Sequence, residues 1–204
     1  MPNLETAFLL FDYAAVAVFG ATGALAAARR GHDVITFIFF AAMTGVGGGT
    51  LRDLLIDAPV FWINRPGYLV TCIVAALVVW FVGRATWRMT ALLWLDAVGM
   101  GAYAIVGAAK ALALGVHPVS AVVMGVMTAT FGGVLRDVVA GEPSVLLQRE
   151  IYVSAAILGA MVFVILAALG VDRILAGLIG FAAAFALRGA AIRWKLTWPG
   201  FKGR

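Results

Sequence analysis

The chain is an all-α membrane protein, organised as seven transmembrane helices in two inverted three-helix repeats plus a seventh helix. Three observations predict this. Of 204 residues, 64% are hydrophobic and only 12% charged, and the mean hydropathy is +1.05; a soluble domain carries roughly twice that charge. The apolar residues fall into runs long enough to cross a bilayer, which takes about 20 residues each. The sequence also matches itself at an offset of 84 positions. The composition excludes an ordinary cytosolic enzyme, a disordered chain and a nucleic-acid binder, although the net charge is +5. That basic excess orients a membrane protein instead.

The runs span residues 7–28, 34–56, 67–83, 91–114, 118–140, 151–170 and 174–191. Their connections are short and hold the breakers and charges: Arg29-Arg30-Gly31-His32-Asp33, Arg65-Pro66-Gly67, Arg84 to Thr90, His117-Pro118, Gly141-Glu142-Pro143 and Asp172-Arg173. No loop is long enough for a separate domain, so residues 1–204 form one transmembrane domain. Repeat one covers about 7–83, repeat two about 91–170, and the seventh helix about 174–191. Met1 to Glu5 has no basic stretch, and the first run continues as a helix without a small-residue cleavage pattern, so no cleaved leader is expected.

An odd number of spans puts the ends on opposite sides. The side with the first, third and fifth loops and the C-terminus carries Arg29, Arg30, Arg84, Arg88, Arg149, Arg188, Arg193, Lys195, Lys202 and Arg204. The other side has Arg65, Lys110 and Arg173. Positively charged loops stay inside, which predicts a cytoplasmic C-terminus and an external N-terminus in the inner (plasma) membrane. Trp62, Trp80, Trp87, Trp94, Trp194 and Trp198 cluster near span ends, as interfacial aromatics do.

At the 84-residue offset, residues 12–68 align with 96–152 without a gap. Asp12 meets Asp96, Gly23 meets Gly107, Met43-Thr44 meets Met127-Thr128, and Gly48-Gly49 meets Gly132-Gly133. Leu51-Arg52-Asp53 meets Leu135-Arg136-Asp137, Pro59 meets Pro143, and Tyr68 meets Tyr152. Apolar helices match by chance at Ala, Val and Leu, but not at two Arg-Asp pairs, two Asp and two Pro together. A repeat of three spans forces the second copy to enter the membrane from the opposite face.

The glycine pairs mark the middle of each repeat. Gly48 lies about 21 Å along its helix from Val34, inside a hydrocarbon core about 30 Å thick; Gly132 lies equally far from Pro118. Adjacent glycines weaken a helix by about 1 kcal/mol each and allow it to bend or unwind. Freed carbonyls are tolerated in a membrane only against protein or a water-filled path. Arg52, Asp53, Arg136 and Asp137 follow within a few residues, and each such charge costs about 3 kcal/mol at a lipid-exposed helix centre. Gly48, Gly49, Gly132 and Gly133 are therefore candidate kinks lining a hydrated interior near the midplane. Carbonyls at such breaks can coordinate a desolvated cation, with the hydroxyls of Thr44 and Thr128 one turn earlier as further oxygen ligands. The competing reading is close helix packing at the glycines and interfacial ion pairs at the Arg-Asp dipeptides.

Asp12 and Asp96 have three roles open to them: holding the motif arginines, lining an entrance, or sitting at the headgroups. Lys110 and Arg188, near helix ends, are read as snorkelling. His32 and His117 fall in loops, and Cys72 in an apolar run packs without a disulfide partner. Ala97 to Gly101 and Ala176 to Gly180 have the small-residue spacing of helix contacts. No catalytic constellation, metal-ligand spacing or cofactor motif emerges, so a non-enzyme without a cofactor is expected.

With its two Gly-Gly-x-Leu-Arg-Asp motifs and downstream prolines, the sequence resembles the prokaryotic TRIC (trimeric intracellular cation) channel family over about residues 5–190. The resemblance implies a homotrimer with one pore per protomer around kinked helices two and five. It implies K+ or another monovalent cation as the permeant ion, and lipid contacts. Carried over by position, Gly48, Gly49, Gly132 and Gly133 are the kinks, and Arg52, Asp53, Arg136 and Asp137 the polar residues near the path. Animal members carry a lysine-bearing phosphoinositide motif near the first kink; this chain has Thr50-Leu51-Arg52-Asp53 there. Some bacterial relatives are regarded as transporters of glycine or a similar small solute. This is the alternative function, because inverted repeats serve channels and transporters alike.

Overall fold

The computed structural model describes residues 4–82, 88–144 and 150–199. These form eight α-helices: α1 (Leu4–Arg29), α2 (Val34–Leu55), α3 (Phe61–Asn64), α4 (Gly67–Val82), α5 (Arg88–Ala113), α6 (Pro118–Val139), α7 (Val153–Ala168) and α8 (Arg173–Trp194). Five contain stretches long and apolar enough to cross a membrane, and α4 and α7 are shorter apolar helices of 16 residues. The helix starts follow local chemistry. The Asp33 carboxylate accepts the Thr36 amide at 2.8 Å to open α2, which also holds that carboxyl below its ordinary pKa. Pro118 occupies the first turn of α6, where its missing N–H costs nothing. Asp172 accepts the Ile174 and Leu175 amides at the start of α8. Gly31 and Gly115, equivalent in the repeat, end α1 and α5 with φ of 70° and 77°, a conformation that favours glycine.

The seven long helices lie within a few residues of the seven runs read from the sequence. The four-residue α3 was not among them; it lies in the connection between α2 and α4. Arg84, Trp87 and Arg149 lie outside the described residues, as do Lys202 and Arg204.

Packing repeats itself. Helix α1 packs on α2 and α4 as α5 packs on α6 and α7, and the two sets join through α1 against α5 and α2 against α6. Helix α8 lies on α5 and α7. At the α1–α5 seam the equivalent residues Phe19 and Tyr103 stack on each other, with ring centroids 5.0 Å apart. At the α2–α6 crossing, a Cβ on Gly48 would overlap the Thr128 carbonyl oxygen, and a Cβ on Gly132 would overlap the Thr44 carbonyl oxygen. Such reciprocity is what a two-fold axis through the crossing demands.

The glycine pairs interrupt neither helix. Both α2 and α6 run as continuous α-helix through them, so the expected unwound carbonyls are absent from this conformation. The first glycine of each pair instead removes the side chain that would hold two backbones apart. Close approach is an alternative way to use a glycine, and here it explains the position.

Candidate functional site

The two Arg-Asp motifs organise two separate clusters. Both arginines and both motif aspartates are buried. Each arginine lies four or more residues beyond the α2–α6 contact, toward the C-terminal end of its own helix. The clusters therefore sit at opposite ends of the crossing rather than together near its middle.

In the first cluster, Arg52 folds back on its neighbour, with Nη2 and Nε each 2.8 Å from Asp53 Oδ1. The Lys110 ammonium, arriving from α5, lies 2.8 Å from the same oxygen. Asp53 Oδ2 accepts the Phe61 amide at 3.0 Å. The Phe61 ring carries the Arg52 guanidinium 5.8 Å from its centroid and the Lys110 ammonium 5.9 Å from it. The space for this ring comes from Gly49, where a Cβ would approach it to 2.7 Å. The neglected α3 thus delivers a donor and an aromatic face to the motif. Nearby, the Tyr68 hydroxyl donates to Asp12 at 2.8 Å, and Tyr68 stacks on Tyr13 and meets Phe61 edge-on.

In the second cluster, Arg136 Nε donates to Asp137 at 2.9 Å, while its Nη1 donates to Asp96 at 2.8 Å and Thr22 at 3.2 Å. Tyr152 stands beside Asp96 and Arg136, and the open side of Gly133 faces all three. Arg188 of α8 lies over the Tyr152 ring at 5.1 Å and pairs with Glu150 at 2.7 Å.

These contacts decide the roles left open by the sequence. Asp96 holds a motif arginine. Asp12 instead takes Tyr68 and lines a cleft of about 980 Å³ with Phe61, Asn64, Arg65, Lys110 and Arg173. Lys110 does not snorkel: it reaches inward to the motif carboxylate. Arg188 does not snorkel either, being 2% exposed. Both depart from that expectation because proximity to a helix end says nothing about a partner on another part of the chain. Thr128 gives its hydroxyl to the Met124 carbonyl at 2.6 Å, whereas the buried Thr44 hydroxyl has no hydrogen-bond partner among the described residues. Cys72 is buried against Gly45 and Gly20 as packing, and His117 caps α6.

Chemically, the first cluster sets two cations against Asp53 and Asp12, while the second sets Arg136 against two carboxylates. A buried arginine is tolerated when paired in this way. Only the first cluster borders the cleft: Lys110, the cation its repeat did not supply, lines it with a side chain still 30% exposed. The residue equivalent to Lys110 at the repeat offset is Ala26.

The family model described as glycine transporter matches residues 9–84 and 93–168. A UPF0126 membrane protein of Vibrio cholerae is 36% identical over 204 residues, covering 97% of this chain and 84% of the relative. The Escherichia coli UPF0126 inner membrane protein YadS is 36% identical over 194 residues, covering 93% and 94%. Among solved structures, the TRIC trimeric intracellular cation channel orthologue from Rhodobacter sphaeroides superposes with a TM-score of 0.90 at 49% identity, over 94% of this chain and 100% of that one. With matches to both halves and across nearly its whole length, the chain belongs to the prokaryotic TRIC family of multi-pass bacterial membrane proteins, the family that the glycine-transporter model also describes.

Proposed function

We propose that the protein is a cation channel, permeable to K+, in which each protomer of a homotrimer has its own path along the α2–α6 crossing. The observation that carries this is the pair of buried Arg-Asp clusters flanking that crossing, one of them bordering an open cleft through Lys110 and Phe61. Buried charge at this cost is retained in membranes for ion paths and gates. The likeness to a channel described as trimeric supports the assembly.

In this reading seven helices cross the membrane. Leu9, Asn64, Arg65, Lys110, Pro118, Ala168 and Arg173 gather around the cleft. Residues from the opposite ends of these helices meet each other instead, as Arg29 meets Glu142 and Trp198 meets Ser154. Alternating ends of this kind follow from seven crossings. The cleft then opens outside, with the C-terminus in the cytoplasm. The conformation is closed: Lys110 occupies the motif carboxylate on one side and Arg136 fills the other. Gly48, Gly49, Gly132 and Gly133 give α2 and α6 the local weakness that opening requires, and Thr44 offers an uncommitted oxygen at the crossing. No cofactor is needed.

A second reading, a transporter of glycine or a similar small solute, is favoured by one feature. Arg65, Lys110 and Arg173 give the cleft the charge to hold a carboxylate, opposite Asp12 for an ammonium. Flux into liposomes of purified protein separates the readings. Rapid, voltage-driven, non-saturating K+ flux without glycine uptake is the expected result. Saturable glycine uptake, lost in Lys110→Gln, overturns the channel.

A further inference from the structure

The two ends of the molecule are closed by different means, although the repeat makes their backbones equivalent. At the end opposite the cleft, Arg29 Nη1 lies 3.0 Å from Glu142 Oε2, and Arg30 Nε lies 3.6 Å from Glu142 Oε1. Arg30 Nη2 also donates to the Gly141 carbonyl at 3.4 Å. These contacts tie the end of α1, in repeat one, to the turn after α6, in repeat two. Ala140, which caps α6 immediately before Gly141, is buried.

The positions equivalent to Arg29 and Arg30 at the repeat offset are Ala113 and Leu114, and the position equivalent to Glu142 is Ala58. At the cleft end these three positions carry no charge and Ala113 lines the open cleft; the ion pair that joins the repeats there is instead Lys110 with the buried Asp53. At the end opposite the cleft, three charges without repeat counterparts join the two repeats at partly exposed positions.

We propose that Arg29, Arg30 and Glu142 form a latch that keeps the end opposite the cleft shut, and that its release is a separate step in opening. The proposal rests on the path reading above only for its effect on flux; the latch itself is a statement about access. The three side chains remain partly exposed, between 20% and 46%. Partly exposed ion pairs are weak enough to break and reform readily, which suits a latch better than a permanent strut.

Two readouts on a Cys72→Ala background test it. The first is the rate at which Ala140→Cys reacts with a small thiol reagent, which does not depend on what the protein conducts. Glu142→Gln, which removes both ion pairs, should raise that rate by at least about fivefold, the shift that either pair alone produces at the upper end of its usual worth. The charge-swapped pair Arg29→Glu with Glu142→Arg should lower it back toward the starting rate. The second is K+ flux with Arg29→Cys and Glu142→Cys joined by oxidation, which should stop flux until a reductant is added. An unchanged labelling rate in Glu142→Gln overturns the latch, as does undiminished flux through the joined protein. If every variant fails to pass K+ while labelling responds as expected, the channel reading fails and the latch stands.

Discussion

Arg52 and Arg136 occupy the same position in the same motif, but their surroundings give them unequal weight. Arg136 is 1% exposed and shared among Asp96, Asp137 and Thr22. Removing its charge takes away the cation that Asp96 and Asp137 share, and breaking a buried pair in this way costs about 3–5 kcal/mol. Arg136→Gln should therefore melt far below the parent protein in detergent, as followed by thermal unfolding. Lys110→Gln removes a partly exposed amine from a carboxylate that keeps Arg52 and the Phe61 amide. Its cost should stay within about 1 kcal/mol, the usual scale for an exposed pair, while K+ flux rises because the cation at the foot of the cleft is gone. Comparable melting losses in both variants contradict the division between a structural inner cluster and a gating outer one. The sequence exposed the paired Asp, Arg and Gly, and it also held the paired Tyr68 and Tyr152 in the same alignment. An Asp–Tyr contact at equal offset in both halves was legible there. Lys110 and Arg188 were not, since neither has a counterpart in the repeat and each finds its partner on a distant part of the chain.

The helices themselves were easy to read because a bilayer imposes length and apolarity on each one, and Gly, Pro and Asp punctuate the ends. Helix α3 escaped because four residues, Phe61–Asn64, carry no periodicity, and its importance comes from one amide and one ring. The glycine motif falls at the α2–α6 crossing, where it serves the close packing that was the competing reading of the sequence: packing and bending place the same demand on a sequence, and only the helix contacts separate them. That distinction yields a test within one run of glycines. A Cβ on Gly47 would meet only the tip of the Leu135 side chain, at 2.7 Å, whereas a Cβ on Gly48 would overlap the Thr128 backbone. Gly47→Ala should be neutral or stabilising, since alanine favours a helix by about 1 kcal/mol over glycine. Gly48→Ala should destabilise by about 1–3 kcal/mol, the scale of overpacking, because two helices must separate to admit it. Gly132→Ala should match Gly48→Ala, as the two-fold axis requires. Equal melting of the Gly47 and Gly48 variants contradicts the crossing contact.

At the scale of the whole molecule, the proposed orientation rests on the distribution of charge. The end opposite the cleft gathers Arg29, Arg30, Arg188, Arg193 and Lys195, against Arg65, Lys110 and Arg173 at the cleft end. Basic segments are retained in the cytoplasm, and in the proposed reading seven crossings put the N-terminus on the other side. Single cysteines on a Cys72→Ala background make this measurable. Ile63, Leu114 and Leu169 are exposed in the three connections at the cleft end, and His32 and Leu196 are exposed at the other. A membrane-impermeant thiol reagent added to intact cells should label Ile63→Cys, Leu114→Cys and Leu169→Cys. His32→Cys and Leu196→Cys should react only after the membrane is opened. Inverted labelling of all five would reverse the orientation and turn the cleft toward the cytoplasm, leaving the fold intact. Labelling that split the first three would be more serious. It would mean that one of the 16-residue helices, α4 or α7, each about 24 Å long against a core of about 30 Å, fails to cross, and the two halves would no longer be inverted copies.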